Sequence, residues 1–246
     1  MIPKVIHYCW FGGNPLPNLA KKCINSWKKY CRDYQIIEWN ESNYDISSAP
    51  LYVRQAYEAK KWAFVSDYVR LQIVFEHGGI YFDTDVEVVR NFDDLLDCGA
   101  FFGFENEHFL NTGIGFGADK GAEILKNIID DYREIAFIKN DGTYDMTPCV
   151  VRNMRIFENF GVKPENEFQK IEDVLIYPKE YFCPKNYLTG ELNVADSTYS
   201  IHHFDGSWYN KEQREKKMRR DRLNRKIRRK DKIHNFFAKI YHKIKK

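Results

Sequence analysis

Nowhere in the 246 residues is there a run of about 20 apolar positions, which excludes a membrane-spanning helix of ordinary length. The six cysteines, Cys9, Cys23, Cys31, Cys98, Cys149 and Cys183, contain no Cys-x-x-Cys pair and no zinc spacing. They read as free thiols of a reducing compartment, with the even count leaving disulfides as the alternative. Residues 1–14 hold one lysine and no long apolar stretch, so no signal peptide is expected. The expected location is the cytoplasm or the inner face of a membrane. A metal-dependent phosphohydrolase would need, beyond a pair of aspartates, the further convergent Asp and His spacing of a two-metal site, which is missing. A nucleic-acid reading motif is missing too, so a basic segment is the only argument for nucleic-acid binding, and no nucleic-acid partner is expected.

What is present is an aromatic-rich chain with 16 Tyr, 18 Phe and 5 Trp, long enough to bury one large core without disulfides. The net charge of +3 conceals a division. Residues 211–246 carry 17 Lys or Arg against 4 Asp or Glu, whereas residues 1–210 carry 21 against 31. The expectation is an acidic globular body over 1–210 and a basic helical tail over 211–246. In the tail Met218, Ile227, Ile233, Phe236, Phe237, Ile240, Tyr241 and Ile244 supply apolar positions. This pattern resembles an interfacial helix on an anionic membrane surface.

The body opens with a strand at Ile2–Phe11, a Gly-Gly-Asn-Pro turn, a helix over Asn18–Tyr30 and a second strand at Tyr34–Trp39. A βαβ opening points to a mostly parallel sheet flanked by helices, an α/β fold. Trp10 falls at the end of the first strand, where open parallel sheets bind ligands. Leu51–Ala59 and Trp62–Glu76 read as helices. Spacing alone reads Asp67 and Arg70 in the second as a surface ion pair. The inward packing of that helix leaves open that Asp67 faces the end of the next strand. Strands are expected at Ala100–Glu105, Asn111–Ala118 and Val174–Pro178, and helices at Ala122–Tyr132 and Val150–Phe160, the last capped by Thr147 with Pro148 at its first position.

The stretch that organises the rest is Gly78-Gly79-Ile80-Tyr81-Phe82-Asp83-Thr84-Asp85. It reads as a buried strand entered through a glycine turn and ending in two carboxylates. If the strand runs on unbroken, Asp83 and Asp85 share one face. Such a pair needs positive charge or water, and a divalent cation carrying a diphosphate would provide it. A solvated surface turn is the bland alternative. Near the end, Ser200-Ile201-His202-His203-Phe204-Asp205-Gly206-Ser207-Trp208 holds a histidine pair that on its own reads as structural and matches no zinc spacing.

Three blocks together, Ile-Pro-Lys-Val-Ile-His-Tyr-Cys-Trp-Phe-Gly at the start, Ala63–Arg70, and Gly78–Asp85, closely resemble glycosyltransferase family 32. That DXD-containing family includes yeast mannosyltransferases and many bacterial capsule and lipopolysaccharide enzymes. More distantly, the blocks resemble the catalytic domain of the clostridial glucosylating toxins. The resemblance implies a GT-A fold and a retaining transferase that uses Mn2+ or Mg2+ and a nucleotide-sugar donor, UDP-linked by preference. It implies a glycan or polyprenyl-diphosphate-linked saccharide as acceptor, in surface polysaccharide synthesis. By position, Trp10 would stack on the base and backbone at Ile6, His7 and Tyr8 would read its edge. Asp67 and Arg70 would hold the donor sugar. Asp83 would meet ribose or sugar hydroxyls, Thr84 would lie beside the donor, and Asp85 would ligate the metal. His203, preferred over His202, or Ser207 would complete the metal shell, and Trp208 would bond phosphate. Met146-Thr147-Pro148 stands where many relatives have Thr-Gly-Pro.

Overall fold

The computed structural model describes residues 1–206, 212 and 215–224. β1 (Val5–Cys9), α1 (Asn18–Tyr30) and β2 (Gln35–Trp39) form the expected βαβ unit, with β1 and β2 parallel from Val5↔Gln35 to Cys9↔Trp39. α2 (Leu51–Glu58) and α3 (Trp62–His77) follow. α3 buries Phe64, Val65, Tyr68, Val69, Leu71, Ile73 and Val74, an apolar arc wide enough to pack on both sheet and neighbouring helices. It stops at Gly78, and β3 (Gly79–Tyr81) then runs parallel to β1 on the flank opposite β2. Gly79 has φ +108°, and a Cβ there would sit 2.7 Å from the Val5 carbonyl oxygen. Only glycine lets the chain turn from α3 into a strand this close to β1.

The remaining elements are β4 (Val86–Val88), β5 (Ala100–Gly103), β6 (Phe116–Ala118), α4 (Glu123–Arg133), α5 (Cys149–Asn159), β7 (Gln169–Ile171), β8 (Val174–Tyr177), α6 (Lys179–Phe182) and β9 (Ser200–His202). Seven strands make the main sheet in the order β2-β1-β3-β6-β5-β8-β7. The fold is α/β with flanking helices, but the sheet is mixed. β3–β6, β5–β6 and β7–β8 are antiparallel, while β1–β2, β1–β3 and β5–β8 are parallel. The expectation of a mostly parallel sheet fails because residues 104–115 hold no crossover helix. Without one, β6 returns beside β5 in the opposite direction.

Alternate side chains of the central strands enter opposite layers, as strand geometry requires. Phe102 and Phe116 pack toward α3, α4 and α5, with Val69, Ile73, Leu125, Ile128 and Phe157. Ile80 and Phe101 pack on the other side with Ile24, Trp27, Phe92 and Phe182.

Three local expectations change. The segment Asn111–Gly115 is a loop, and only Phe116–Ala118 joins the sheet. α5 begins at Cys149 with Pro148 as its flanking residue, and Thr147 donates its hydroxyl to Asp145 instead of capping the helix. The strand that leads to the aspartates ends at Tyr81, and a turn through Thr84 and Asp85 carries the chain into β4. β4 pairs with β9 in a separate two-stranded sheet.

All six cysteines are free. Among the described residues no helix is long and apolar enough to cross a membrane. The chain divides into two compact units, Met1–Lys185 with Asn193–Phe204, and Asn186–Leu192 with Asp205–Lys246. In the second, residues 215–224 are helical, Arg220 lies over the Tyr187 ring and Asn224 donates to the Leu188 carbonyl. The apolar tail positions from Ile227 onward lie outside the described residues.

Candidate active site

β1 and β3 are adjacent and parallel, so their C-terminal ends open on one sheet edge. Asp83 follows β3 there, held by two backbone bonds: its N–H donates to the Gly113 carbonyl at 3.0 Å, and its carbonyl accepts from Val86 at 3.0 Å. Asp85 sits in the turn between them. The two carboxylates therefore converge through a turn, and no shared strand face is involved. Burial pushes the Asp83 carboxyl above the usual carboxylate range, and the Asp85 charge adds to this against the pull of Arg70.

Arg70 is 2% exposed, so the surface ion pair that spacing suggests is a buried one. Its guanidinium donates to Asp67 and lies 3.4 Å from Asp83 Oδ1, while Tyr81 donates its hydroxyl to the same Asp83 oxygen at 3.0 Å. Cys149 Sγ, at the start of α5, lies 2.9 Å from Arg70 Nη2. One cation thus serves two carboxylates. Burial raises the Asp67 carboxyl despite Arg70 beside it. Burial also works against the charge on Arg70, but Asp67, Cys149 and Asp83 together override it and keep the guanidinium firmly protonated.

The β4–β9 register sets Val86 opposite His202. This brings His202 Nε2 to 3.3 Å from Asp85 Oδ1. Burial would lower the pKa of this imidazole, but the Asp85 carboxylate holds it well above its usual range, with the Cys183 thiol also bonded to it. Asp83, Asp85 and His202 each offer a ligand atom, and these atoms lie within 4.8 Å of one another. Two carboxylates beside one imidazole suit a divalent cation that accepts oxygen and nitrogen, and such a cation would relieve the repulsion between the aspartates. His203, favoured by the resemblance, points elsewhere: its ring bonds Glu87 at 2.8 Å, which also pairs with Lys22 at 2.7 Å. Its N–H donates to the Asp85 carbonyl at 3.0 Å. Ser207 and Trp208 lie outside the described residues.

Ile6 and His7 sit inside β1 with β2 on one side and β3 on the other, so the sheet takes up their backbone groups. The His7 ring is buried, bonded to Trp39 and to the Gly78 carbonyl. Tyr8 donates its hydroxyl to Glu38 at 2.6 Å. Trp10 is half-buried past the end of β1, and its indole donates to the Asn14 carbonyl. Thr84 is half-buried in the turn between the aspartates. Sequence reasoning missed Tyr81, Cys149 and Cys183, which touch site residues, and Asn111, whose Oδ1 accepts the N–H of Gly113 beside Asp83. Tyr81 lies two residues before Asp83, at the end of β3, and the two-residue period of an extended chain could have flagged it. The two cysteines arrive from distant elements and carry no local signal.

A family model described as the glycosyltransferase sugar-binding region containing DXD motif matches residues 17–101. The matched segment holds Asp67, Arg70, Asp83 and Asp85. A protein described as an uncharacterized glycosyltransferase of Acanthamoeba polyphaga mimivirus is 25% identical over 220 residues, covering 81% of this chain and 83% of the relative. Inositol phosphoceramide mannosyltransferase 3 of Schizosaccharomyces pombe is 27% identical over 144 residues, covering 55% of this chain and only 38% of that protein. Among solved structures, PaToxG glycosyltransferase aligns at a TM-score of 0.47 with 18% identity, covering 64% of this chain and 69% of that one. Over residues 17–101 the chain is similar to glycosyltransferases that carry a DXD sugar-binding region, and its Asp83, Asp85 and His202 side chains offer three ligand atoms for a metal ion.

Proposed function

We propose that the protein transfers a sugar from a UDP-linked donor, in the presence of Mn2+, to a glycan or a polyprenyl-diphosphate-linked saccharide with retention of anomeric configuration. The observation that carries the metal-dependent transfer is the convergence of Asp83, Asp85 and His202 at the open edge of β3, inside the DXD-containing region. Mn2+ accepts both carboxylate and imidazole donors, which favours it over Mg2+. When bound, the cation would offset the negative charge that develops on the departing diphosphate. Asp85 would hold it from the turn before β4, His202 from the end of β9, and Asp83 from just past β3. Arg70, already shared between Asp67 and Asp83, places a rigid fork of donors beside donor-sugar hydroxyls. The partly buried Trp10 is offered to the base at the end of β1.

The UDP preference, retention of configuration and a role in surface polysaccharide synthesis rest on the family resemblance. An acceptor on a lipid carrier agrees with the basic 211–246 segment, which would hold the enzyme to the inner face of an anionic membrane. Purified protein given a panel of nucleotide sugars should show Mn2+-dependent hydrolysis or transfer with one of them. Asp85→Ala should lower that rate at least about 100-fold, as loss of a group stabilising developing charge does. Full activity in this variant would remove the central assignment. Steady hydrolysis with no transfer to any saccharide acceptor would instead indicate a phosphohydrolase.

A further inference from the structure

A hairpin not matched by the sugar-binding region leads back to the first aspartate. Beyond β5, Phe104 bridges Leu110 and Glu105 donates its N–H to the Phe109 carbonyl at 2.8 Å. The Asn111 N–H in turn donates to the Gly103 carbonyl at 3.2 Å, so Glu105 and Asn111 are fixed across the base of this return. Their side chains meet: Asn111 Nδ2 donates to Glu105 Oε2. The other end of the amide, Oδ1, accepts the Gly113 N–H at 2.6 Å. Gly113 then touches Asp83 twice. Its carbonyl takes the Asp83 N–H at 3.0 Å, and a Cβ on it would lie 2.1 Å from Asp83 Oδ2, so its bare Cα lies directly beneath that carboxylate.

The order of these contacts matters chemically. An ionised carboxylate only accepts hydrogen bonds, so Glu105 requires the NH2 end of the Asn111 amide to face it. That leaves Oδ1, and no donor, for the Gly113 N–H. An amide turned the other way would set two donors against each other and push Gly113 away from Asp83. Asn111 is 8% exposed, so a mismatched amide could not be rescued cheaply by solvent.

We propose that Glu105 is a positioning residue for the metal-binding aspartate, acting through the orientation of Asn111 and the placement of Gly113 against Asp83. This rests on the assignment of Asp83, Asp85 and His202 to a divalent cation. Outer partners of metal ligands are worth about 10–100-fold in metal affinity, and Glu105 belongs to that class although three residues separate it from the ion.

The test reads Mn2+ affinity directly, from the free-ion electron paramagnetic resonance signal of the full chain without donor. Glu105→Ala and Asn111→Asp should each weaken Mn2+ binding by about 10–100-fold. Glu105→Gln, whose amide oxygen can still accept from Asn111, should remain within about threefold of wild type. The reciprocal pair Glu105→Gln with Asn111→Asp re-forms the bond with donor and acceptor exchanged and should recover most of the affinity lost in Asn111→Asp. A general packing role would not restore binding by such an exchange. Near-wild-type affinity in folded Glu105→Ala, or a double variant as weak as Asn111→Asp alone, would overturn the proposal. If Glu105→Ala fails to fold, the comparison of the double variant with Asn111→Asp still decides. Wild-type protein that takes up no Mn2+ would overturn the metal assignment itself, and the inference with it.

Discussion

His7 shows how a single side chain is committed by its neighbours. The indole of Trp39 can only donate, so His7 Nδ1 must accept, and the ring proton resides on Nε2, where it donates to the Gly78 carbonyl. The neutral ring thereby ties β1 and β2 to the glycine turn that launches β3. Burial, with the nearby His77, lowers its pKa from 6.5 to about 4. Between those two values the unfolded chain binds a proton that the folded chain refuses. Stability from this group is therefore complete above about pH 6.5 and is lost as pH falls toward 4, on the order of 3 kcal/mol in all. Urea unfolding of wild type and His7→Gln should show their stability difference shrinking by that amount between pH 7.5 and pH 4. Parallel profiles would refute it. Asp67 and Arg70 teach the same lesson in another form: i, i+3 spacing is equally compatible with a solvated pair, and only the packing of α3 under the sheet edge makes them a buried pair.

At the scale of elements, the β4–β9 ladder decides which histidine belongs to the site. Successive strand residues point to opposite faces, so with Val86 opposite His202, one ring turns to Asp85 and the next to Glu87. His202→Ala should weaken Mn2+ binding at least about 10-fold, while His203→Ala should change it by less than about threefold, measured by titration of the free ion. Equal losses in both variants would mean that the ladder does not hold this register in solution. The order of the two residues in the sequence carries no such information, because a strand slipped by one residue exchanges the faces. The antiparallel β6 is a comparable case. Its strand-like composition was legible, but its direction depends on a return without a helix between Gly103 and Phe116.

For the whole molecule, the charge division predicts behaviour that the acidic body of residues 1–210 alone would not have. With 17 basic against 4 acidic residues in 211–246, each cation near an anionic surface contributes about 1 kcal/mol at moderate salt. Within the described part of this segment Met218 and Leu223 are exposed. The full chain should sediment with vesicles rich in phosphatidylserine or phosphatidylglycerol and be released as salt rises. A chain ending at residue 210 should stay in the supernatant while keeping Mn2+-dependent turnover of a soluble donor. Unchanged partitioning of the shortened chain would sink the membrane role.

What the sequence by itself determined is local and periodic: the βαβ opening, the apolar face of α3, the glycine turn, the paired aspartates and the basic tail. Each rests on residues within a turn or a strand of one another, where backbone geometry alone fixes which side chains align. Tertiary structure decided the mixed direction of the sheet, the choice of His202 over His203 beside Asp85, the approach of Cys149 to Arg70, and the chain of contacts from Glu105 through Asn111 and Gly113 to Asp83. Those depend on strand order, on ladder register and on close contacts such as Gly113 against Asp83. They arise between residues far apart in the chain, and only the packed fold selects among the many pairings that the same composition permits.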